Sequence, residues 1–372
     1  MTENSSLEEG KFKKFLKKQG IELSWRRYLV DALGAMALGL FASLLIGTIM
    51  NTVGSLLPGD TEFAQFLIKA GEFASKASGA AMSIAIAYSL NAPPLVLYSM
   101  VAVGISANQL GGAGGPLAVF IIAIITTELG KLVSKTTPVD VIVTPTVTIL
   151  SGVGLSYGIA PTVGYLASLV GAAIIQATNI APFLMGIVVS VLMGIALTLP
   201  ISSAAIAAAF GLTGLAGGAA YAGCCAQMVG FAVMSFKENR WSGLLSQGVG
   251  TSMLQMPNIV KNPKIWIPPI LASAVTGPLA TTLFKLEMNG APISSGMGTS
   301  GLVGQIGLIT GWLNPSEAAL AHGATVVTPG VWEYSGMILI GFVLPAILTL
   351  LFAYPMRKKS WIKSEDLKLN LG

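Results

Sequence analysis

Between residues 287 and 322 the chain concentrates hydrogen-bonding side chains in otherwise apolar surroundings: Glu287, Asn289, Ser294, Ser295, Thr299, Ser300, Gln305, Asn314, Glu317 and His322. Carboxylates, amides and hydroxyls together supply paired acceptors and donors, which is what holding a small polyhydroxylated solute requires. His322, the only histidine, is able to donate to a substrate hydroxyl or to take a proton near neutral pH. A histidine bonded to a loop carbonyl is the other reading. Asn108, Glu128, Ser202 and Ser203 complete the substrate-binding candidates, with Gln109, Gln227 and Gln255 as weaker ones. No P-loop and no Asp-Lys-Thr-Gly phosphorylation motif occurs, so energy must come from an ion gradient, a partner or modification of the substrate. Catalytic residues, metal ligands and cofactors are not expected. The adjacent Cys224 and Cys225 lack a Cys-x-x-Cys spacing or a histidine partner and are read as buried small residues.

The elements that must position these residues carry an internal repeat. Pro-Ile-Ser-Ser occurs at 200–203 and again at 292–295. Each copy is followed by a related phrase, Thr213-Gly214-Leu215-Ala216-Gly217 in the first and Ser300-Gly301-Leu302-Val303-Gly304 in the second. Paired apolar segments interrupted by Gly and Pro are a pointer to the binding site of a membrane transporter. Chance agreement among common residues is the competing explanation for the repeat. Two broken helical tracts, about 200–217 and 287–311, are expected either way.

Of the 372 residues 53% are hydrophobic and 10% charged, against about 25% charged in ordinary soluble domains. Mean hydropathy is +0.75. Apolar runs such as 28–50, 116–133, 181–199 and 338–354 approach or exceed the roughly 20 residues that span a bilayer. The expected fold class is an all-α polytopic membrane protein with about ten transmembrane helices and two re-entrant hairpins. Spans are expected at about 28–50, 71–91, 95–108 and 116–134, then an apolar stretch to about 160. Others follow at 162–180 and 181–199, to about 236, at 266–284 and at 335–355. The Gly-rich clusters 111–115 and 296–304 read as re-entrant loops, since irregular backbone at membrane depth must be buried in protein or line a wet cavity.

Residues 1–27 form a basic N-terminal segment, 28–355 the membrane domain and 356–372 a basic tail. Lysines and arginines cluster at both ends, which places both termini and the polar segment 237–265 in the cytoplasm by the positive-inside rule. No cleavable signal is expected in 1–27; a basic surface helix over 7–23 is as plausible as a solvated tail. The basic pI of 9.1 then reflects topology and membrane lipids, not nucleic acid. Ionisable residues inside spans are functional candidates by their cost. Glu72 and Lys76, four apart, are read as a structural pair on one helix face. Glu128 with Lys131, Asp140 and Glu333 are the others.

Several phrases together resemble the membrane (IIC) component of the bacterial phosphoenolpyruvate-dependent sugar phosphotransferase system. They are Asn108–Gly112, Thr137–Pro145, Gln247–Gln255 and the two Pro-Ile-Ser-Ser tracts. The chain is similar in particular to the stand-alone IIC-like branch that includes perfringolysin-regulator-type membrane proteins, over about 25–355. The resemblance implies a homodimer in the bacterial cytoplasmic membrane, and a transport part with two re-entrant hairpins around a sugar. It also implies coupling to separate IIA and IIB proteins. A carboxylate and often a histidine hold the family's substrate, which carries over to Glu287, Glu317 and His322. The chain departs from the family in having no fused IIA or IIB portion, and in lacking the Glu-Pro signature of glucose-type members; Asn314-Pro315-Ser316-Glu317 is only a loose echo. The leading expectation is a permease for a sugar or similar small polar solute. An ion-coupled transporter on the same fold and a ligand-sensing membrane regulator are the alternatives.

Overall fold

The computed structural model describes residues 16–57, 61–178, 181–321 and 323–369. Among these, six helical stretches are long and apolar enough to cross a bilayer: Arg26–Ser55, Pro94–Val133, Asp140–Thr178, Gly214–Met234, Pro263–Leu283 and Val331–Lys358. Two shorter apolar helices, Pro182–Thr198 and Ser300–Leu313, accompany them. The architecture is helical because apolar surroundings leave the backbone no other way to satisfy its own polar groups.

Helix α1 (Arg26–Ser55) packs along two consecutive segments that run antiparallel to it, α2 (Glu62–Lys76) beside its second half and α3 (Ser78–Ser89) beside its first. Thr61 starts α2 by accepting the Ala64 amide at 3.2 Å, a serviceable N-cap. This element begins nine residues before the expected 71, and Glu62 is its first residue. Lys76 pairs with Glu72 at 3.2 Å on its exposed face, a pair that contributes little. The 40-residue stretch Pro94–Val133 is two packed helices, α4 (Pro94–Gly111) and α5 (Gly115–Val133). They are joined by a tight turn in which Gly112 has φ 50°. The cluster 111–115 is therefore a hairpin turn, where a re-entrant loop was expected.

A second difference concerns α6 (Asp140–Thr178). It was expected as two elements, and it runs unbroken for 39 residues through Pro145 and Pro161. At 1.5 Å per residue it measures about 58 Å, longer than a bilayer core. Each proline removes one intrahelical bond, which neighbouring turns and Ser or Thr side chains make tolerable in membrane helices. Thr144, Thr148 and Ser156 each bond back to a carbonyl or carboxylate four residues earlier, at 2.7 to 2.8 Å.

The other half holds α7 (Pro182–Thr198), α8 (Ser203–Ala209) and α9 (Gly214–Met234), then α10 (Phe236–Leu245) and α11 (Met256–Lys261). The remaining helices are α12 (Pro263–Leu283), α13 (Val303–Leu313), α14 (Glu317–Ala321) and α15 (Val331–Lys358). Helix α9 is the hub: it packs against α7, α12 and α15 and is buried for nearly its whole length. Cys224 and Cys225 lie on it, free and buried as expected. One apolar cluster fills the first half, and two flank α9 in the second. Segment 237–265, expected as a polar cytoplasmic segment, is mostly helical and carries the buried Gln247, Met253, Leu254 and Gln255. Arg26 and Asp31 share a cleft with Glu365 and Lys368, so both ends of the described chain lie at one end of the bundle.

Candidate functional site

The two broken tracts lie against each other and run in opposite directions. As the first proceeds from Ser203 to Gly214, its neighbours in the second recede from Gly296 to Met288. Ser203 Oγ donates to the Gly296 carbonyl at 2.7 Å, and Gly214 and Met288 exchange both backbone bonds at 3.0 Å. In each tract the shared phrase does the same local work. Gly214 (φ 59°) and Gly301 (φ 53°) take the left-handed conformation that glycine adopts without steric cost, one opening α9 and the other the short turn before α13. Opposed repeats of this kind are how many transporters frame a site at the repeat interface.

The second tract is a true re-entrant hairpin. Its two ends are tied at the mouth, where the Ser316 amide donates to the Asn289 carbonyl and Ser316 Oγ to the Gly290 carbonyl, each at 2.9 Å. Its arms touch backbone to backbone: a Cβ on Gly311 would lie 1.9 Å from the Gly290 nitrogen. The tip stops part-way along α9, beside Cys224 and Met228, where Thr299 Oγ1 donates to the Gly248 carbonyl.

A cavity of about 390 Å³ opens at the mouth, at the end of the bundle away from the termini. Glu287 and Asn289 supply its polar wall; Gly214, Leu215 and Ala216 at the start of α9 form another side. Pro182 and Met185 of α7, Thr178 of α6 and Ala319 of α14 close the rest. Asn289 is fully buried. Its Nδ2 donates to Glu287 Oε2 at 3.2 Å, while its Oδ1 has no partner. A buried amide oxygen left unpaired is costly and calls for a donor. The start of α9 lies across the cavity from the half-buried Glu287. The wall thus offers the Glu287 carboxylate, with the unpaired amide oxygen of Asn289 buried beside it.

Of the residues singled out in the sequence, this cavity takes only Glu287 and Asn289 into its lining. Glu317 stands exposed as the first residue of α14, on the rim. His322 lies outside the described residues. Ser294 is buried inside the hairpin, where its Cβ would sit 2.3 Å from a Cβ on Gly307. Ser295 Oγ bonds its own turn, to the Pro292 carbonyl at 2.8 Å. Gln305 is buried against Tyr221, 3.0 Å from its hydroxyl. With the amide oriented to suit both neighbours, its nitrogen donates to the Gly298 and Leu302 carbonyls at 3.3 Å.

Ser202, Ser203 and Ser300 line a second, much smaller cavity on the far side of the paired tracts, with Gly250, Thr251 and Pro116. Ser202 caps α8 through the Ala205 amide, and Ser300 Oγ is buried without a partner. Asn108 packs at the α4–α5 turn, against Gly115. Glu128 lies far off, 3.0 Å from the fully buried Lys131 and bonded by the Tyr28 hydroxyl at 3.0 Å. Gln227 accepts from Trp266 Nε1 at 2.8 Å and is buried among Thr198 and Ser273. Asp140 caps the start of α6 by accepting from the Lys135 amide and Thr144, and Glu333 caps α15 through the Gly330 amide at 2.8 Å.

What sequence reasoning did not assign to the site are its small and apolar walls, Thr178, Pro182, Met185 and Ala319. Only the phrase Thr213-Gly214-Leu215, echoed at Ser300-Gly301-Leu302, signalled the Gly214–Ala216 side. Among the described residues no group of three or more His, Cys, Asp or Glu is placed to hold a metal ion.

A family model described as "Phosphotransferase system, EIIC" matches residues 30–369. No curated protein and no solved structure matches the chain.

Proposed function

The chain belongs to the phosphotransferase system EIIC family and is a multi-pass membrane transporter of that type, and from that premise we propose that it carries a sugar or a close polyhydroxylated analogue, bound at the Glu287–Asn289 wall. The observation that carries this reading is the unpaired, fully buried Oδ1 of Asn289 beside the Glu287 carboxylate in a cavity of about 390 Å³. That volume falls within the roughly 300–1,000 Å³ of small-molecule sites. Two acceptors side by side select a ligand that brings adjacent donors, as vicinal hydroxyls do. The small side chains at Gly214, Ala216 and Ala319 leave room for the ring that carries them.

The wider reading follows the family. The chain works as a homodimer in the bacterial cytoplasmic membrane with both termini in the cytoplasm. Separate IIA and IIB proteins phosphorylate the solute as it is delivered, and no nucleic acid takes part. The shared location of both described ends supports the placement of the termini. His322 and Glu317, next to Ala319 and Gly323 of the cavity wall, are proposed as the outer contacts of the same solute.

The test is uptake of a panel of radiolabelled sugars by reconstituted vesicles. Uptake that needs the soluble phosphocarrier proteins and yields phosphorylated product supports the proposal. Uptake driven by a pH gradient alone would replace it with an ion-coupled transporter. Binding detected by thermal shift without flux in either condition would replace it with a sensor.

A further inference from the structure

The C-terminal residues do not leave the bundle. Stretch 361–369 folds back across the end that bears the termini, with Ile362 at 2% and Leu367 at 0% exposure as its apolar plugs. Its backbone is captured by side-chain amides. Asn239 Nδ2 donates to the Leu367 carbonyl and its Oδ1 accepts the Leu369 amide, both at 2.8 Å, the paired bonding a neighbouring strand would offer. Asn258 Nδ2 donates to the Lys368 carbonyl at 2.9 Å and Asn262 Nδ2 to that of Trp361 at 3.0 Å.

From this docked stretch a line of amides runs inward. Asn258 Nδ2 also donates to Gln255 Oε1 at 2.8 Å. Gln255 Nε2 is shared between the Leu367 carbonyl, at 3.2 Å, and Gln247 Oε1, at 2.9 Å. Gln247, fully buried, fixes its own turn through Ser235 Oγ and the Gly243 carbonyl. The next residue is Gly248, whose carbonyl receives Thr299 at the tip of the second hairpin. The tip lies beside Cys224 and Met228, between the cavity at Gly214 and this end, and it sits on a turn whose anchor is bonded, through Gln255, to the docked C-terminal stretch. The buried links are neutral amide and hydroxyl bonds that water can replace, and the carboxylate among the contacts, Asp366, is not buried, so the contact can open without stranding a charge in the interior.

We propose that residues 361–369 are a strap that holds the hairpin tip in place and keeps the cavity closed toward the terminus-bearing face. Release of the strap frees the 246–250 turn and lets the tip withdraw. This rests on the transport reading only for its consequence in flux; the mechanical claim is testable without a substrate.

The reporter is Ser300→Cys in the full-length chain, labelled by an impermeant maleimide in membrane vesicles whose terminus-bearing face is outermost, with the parent chain as background for the buried Cys224 and Cys225. Adding Asn239→Ala and Asn258→Ala should speed labelling about tenfold, the effect of weakening the docked state by one or two hydrogen bonds. Equal rates in a chain of unchanged size-exclusion profile overturn the strap.

If the double variant does not fold, Asn262→Cys with Asp366→Cys serves instead. These two side chains are hydrogen-bonded at 2.8 Å, and a short bifunctional, reducible thiol reagent will pin the strap in place. Uptake should then stop and return on reduction; uptake at the unbridged rate overturns the proposal. A chain that takes up no solute in any state counts against the transport reading, and the strap is then decided by whether bridging slows Ser300→Cys labelling in that chain, an unchanged rate overturning it.

Discussion

Ser203 Oγ donates a hydrogen bond of 2.7 Å to the carbonyl of Gly296, across 93 residues of chain and with both groups buried. Each partner belongs to one copy of the Pro-Ile-Ser-Ser phrase or follows it directly. The bond joins the two broken tracts at the small cavity that Ser202, Ser203 and Ser300 line, away from the one at the hairpin mouth. The approach is close enough that a Cβ on Gly296 would lie 2.4 Å from the Ser203 carbonyl oxygen.

Ser203→Ala should therefore lower stability by about 1–3 kcal/mol, since it strands a buried carbonyl. Ser295→Ala removes only a bond within its own turn and should cost less than half as much. Thermal unfolding of the two variants in the same detergent compares them directly, and equal losses would mean that the inter-tract bond carries no special weight.

Glu287→Gln and Asn289→Ala should each weaken solute binding by about 10- to 100-fold, the range for losing one hydrogen bond that involves a charged or buried partner. Glu317→Gln, exposed on the rim, should change it by less. The measurement is a binding isotherm for whichever sugar the uptake panel identifies, with dimer assembly checked by size exclusion. Wild-type affinity in the first two variants would remove the site assignment.

Lys131 is fully buried, and its Nζ donates to the Gly20 and Leu90 carbonyls at 2.8 and 2.9 Å while facing Glu128 at 3.0 Å. Arg27 reaches the same two carbonyls, so the cluster pins the chain's first described turn to the bundle. Lys131→Met should cost about 3–5 kcal/mol because Glu128 is left without its counter-charge. Adding Glu128→Gln should restore a large part of that loss. Denaturant unfolding of the single and double variants provides the test; identical stability would show that the charge pair is not the reason for the loss.

Gly218→Ala should prevent correct assembly of the transport half, because the new Cβ would lie 1.7 Å from the Leu286 carbonyl oxygen. Gly154→Ala, on the exposed face of α6 with nothing within 4 Å of the added carbon, should be tolerated and slightly helix-favouring. Yield of monodisperse protein after detergent extraction distinguishes them, and normal yield of the Gly218 variant would show that α9 can shift away from Leu286.

Much of this arrangement is legible in the residues. The two tracts around Pro200 and Pro292 are broken where proline and glycine say they must be, and Gly214 and Gly301 do the same turn-making in each. Glu287 and Asn289, adjacent to the break, are the pair that reach the cavity. Other readings fail for specific reasons. Pro161 reads as a boundary, yet packed neighbours carry α6 through it. Segment 237–265 reads only as polar, and the sequence does not show that its amides are consumed internally and by the C-terminal stretch. Gln305 and Glu128 have the right chemistry for a ligand and are claimed by Tyr221 and Lys131.

The sequence by itself determined that this chain is a bundle of membrane helices with two interruptions. Length, hydropathy and the special backbone demands of proline and glycine are local properties, and in lipid they leave few alternatives. Only the tertiary structure decided which polar groups remain available to a ligand. A serine, glutamine or glutamate has the same bonding capacity wherever it lies. Whether that capacity is spent depends on partners such as Gly296 for Ser203, 93 residues away, or Tyr221 for Gln305, 84 residues away. Asn289, on the wall of the cavity at the hairpin mouth, keeps an oxygen that meets none.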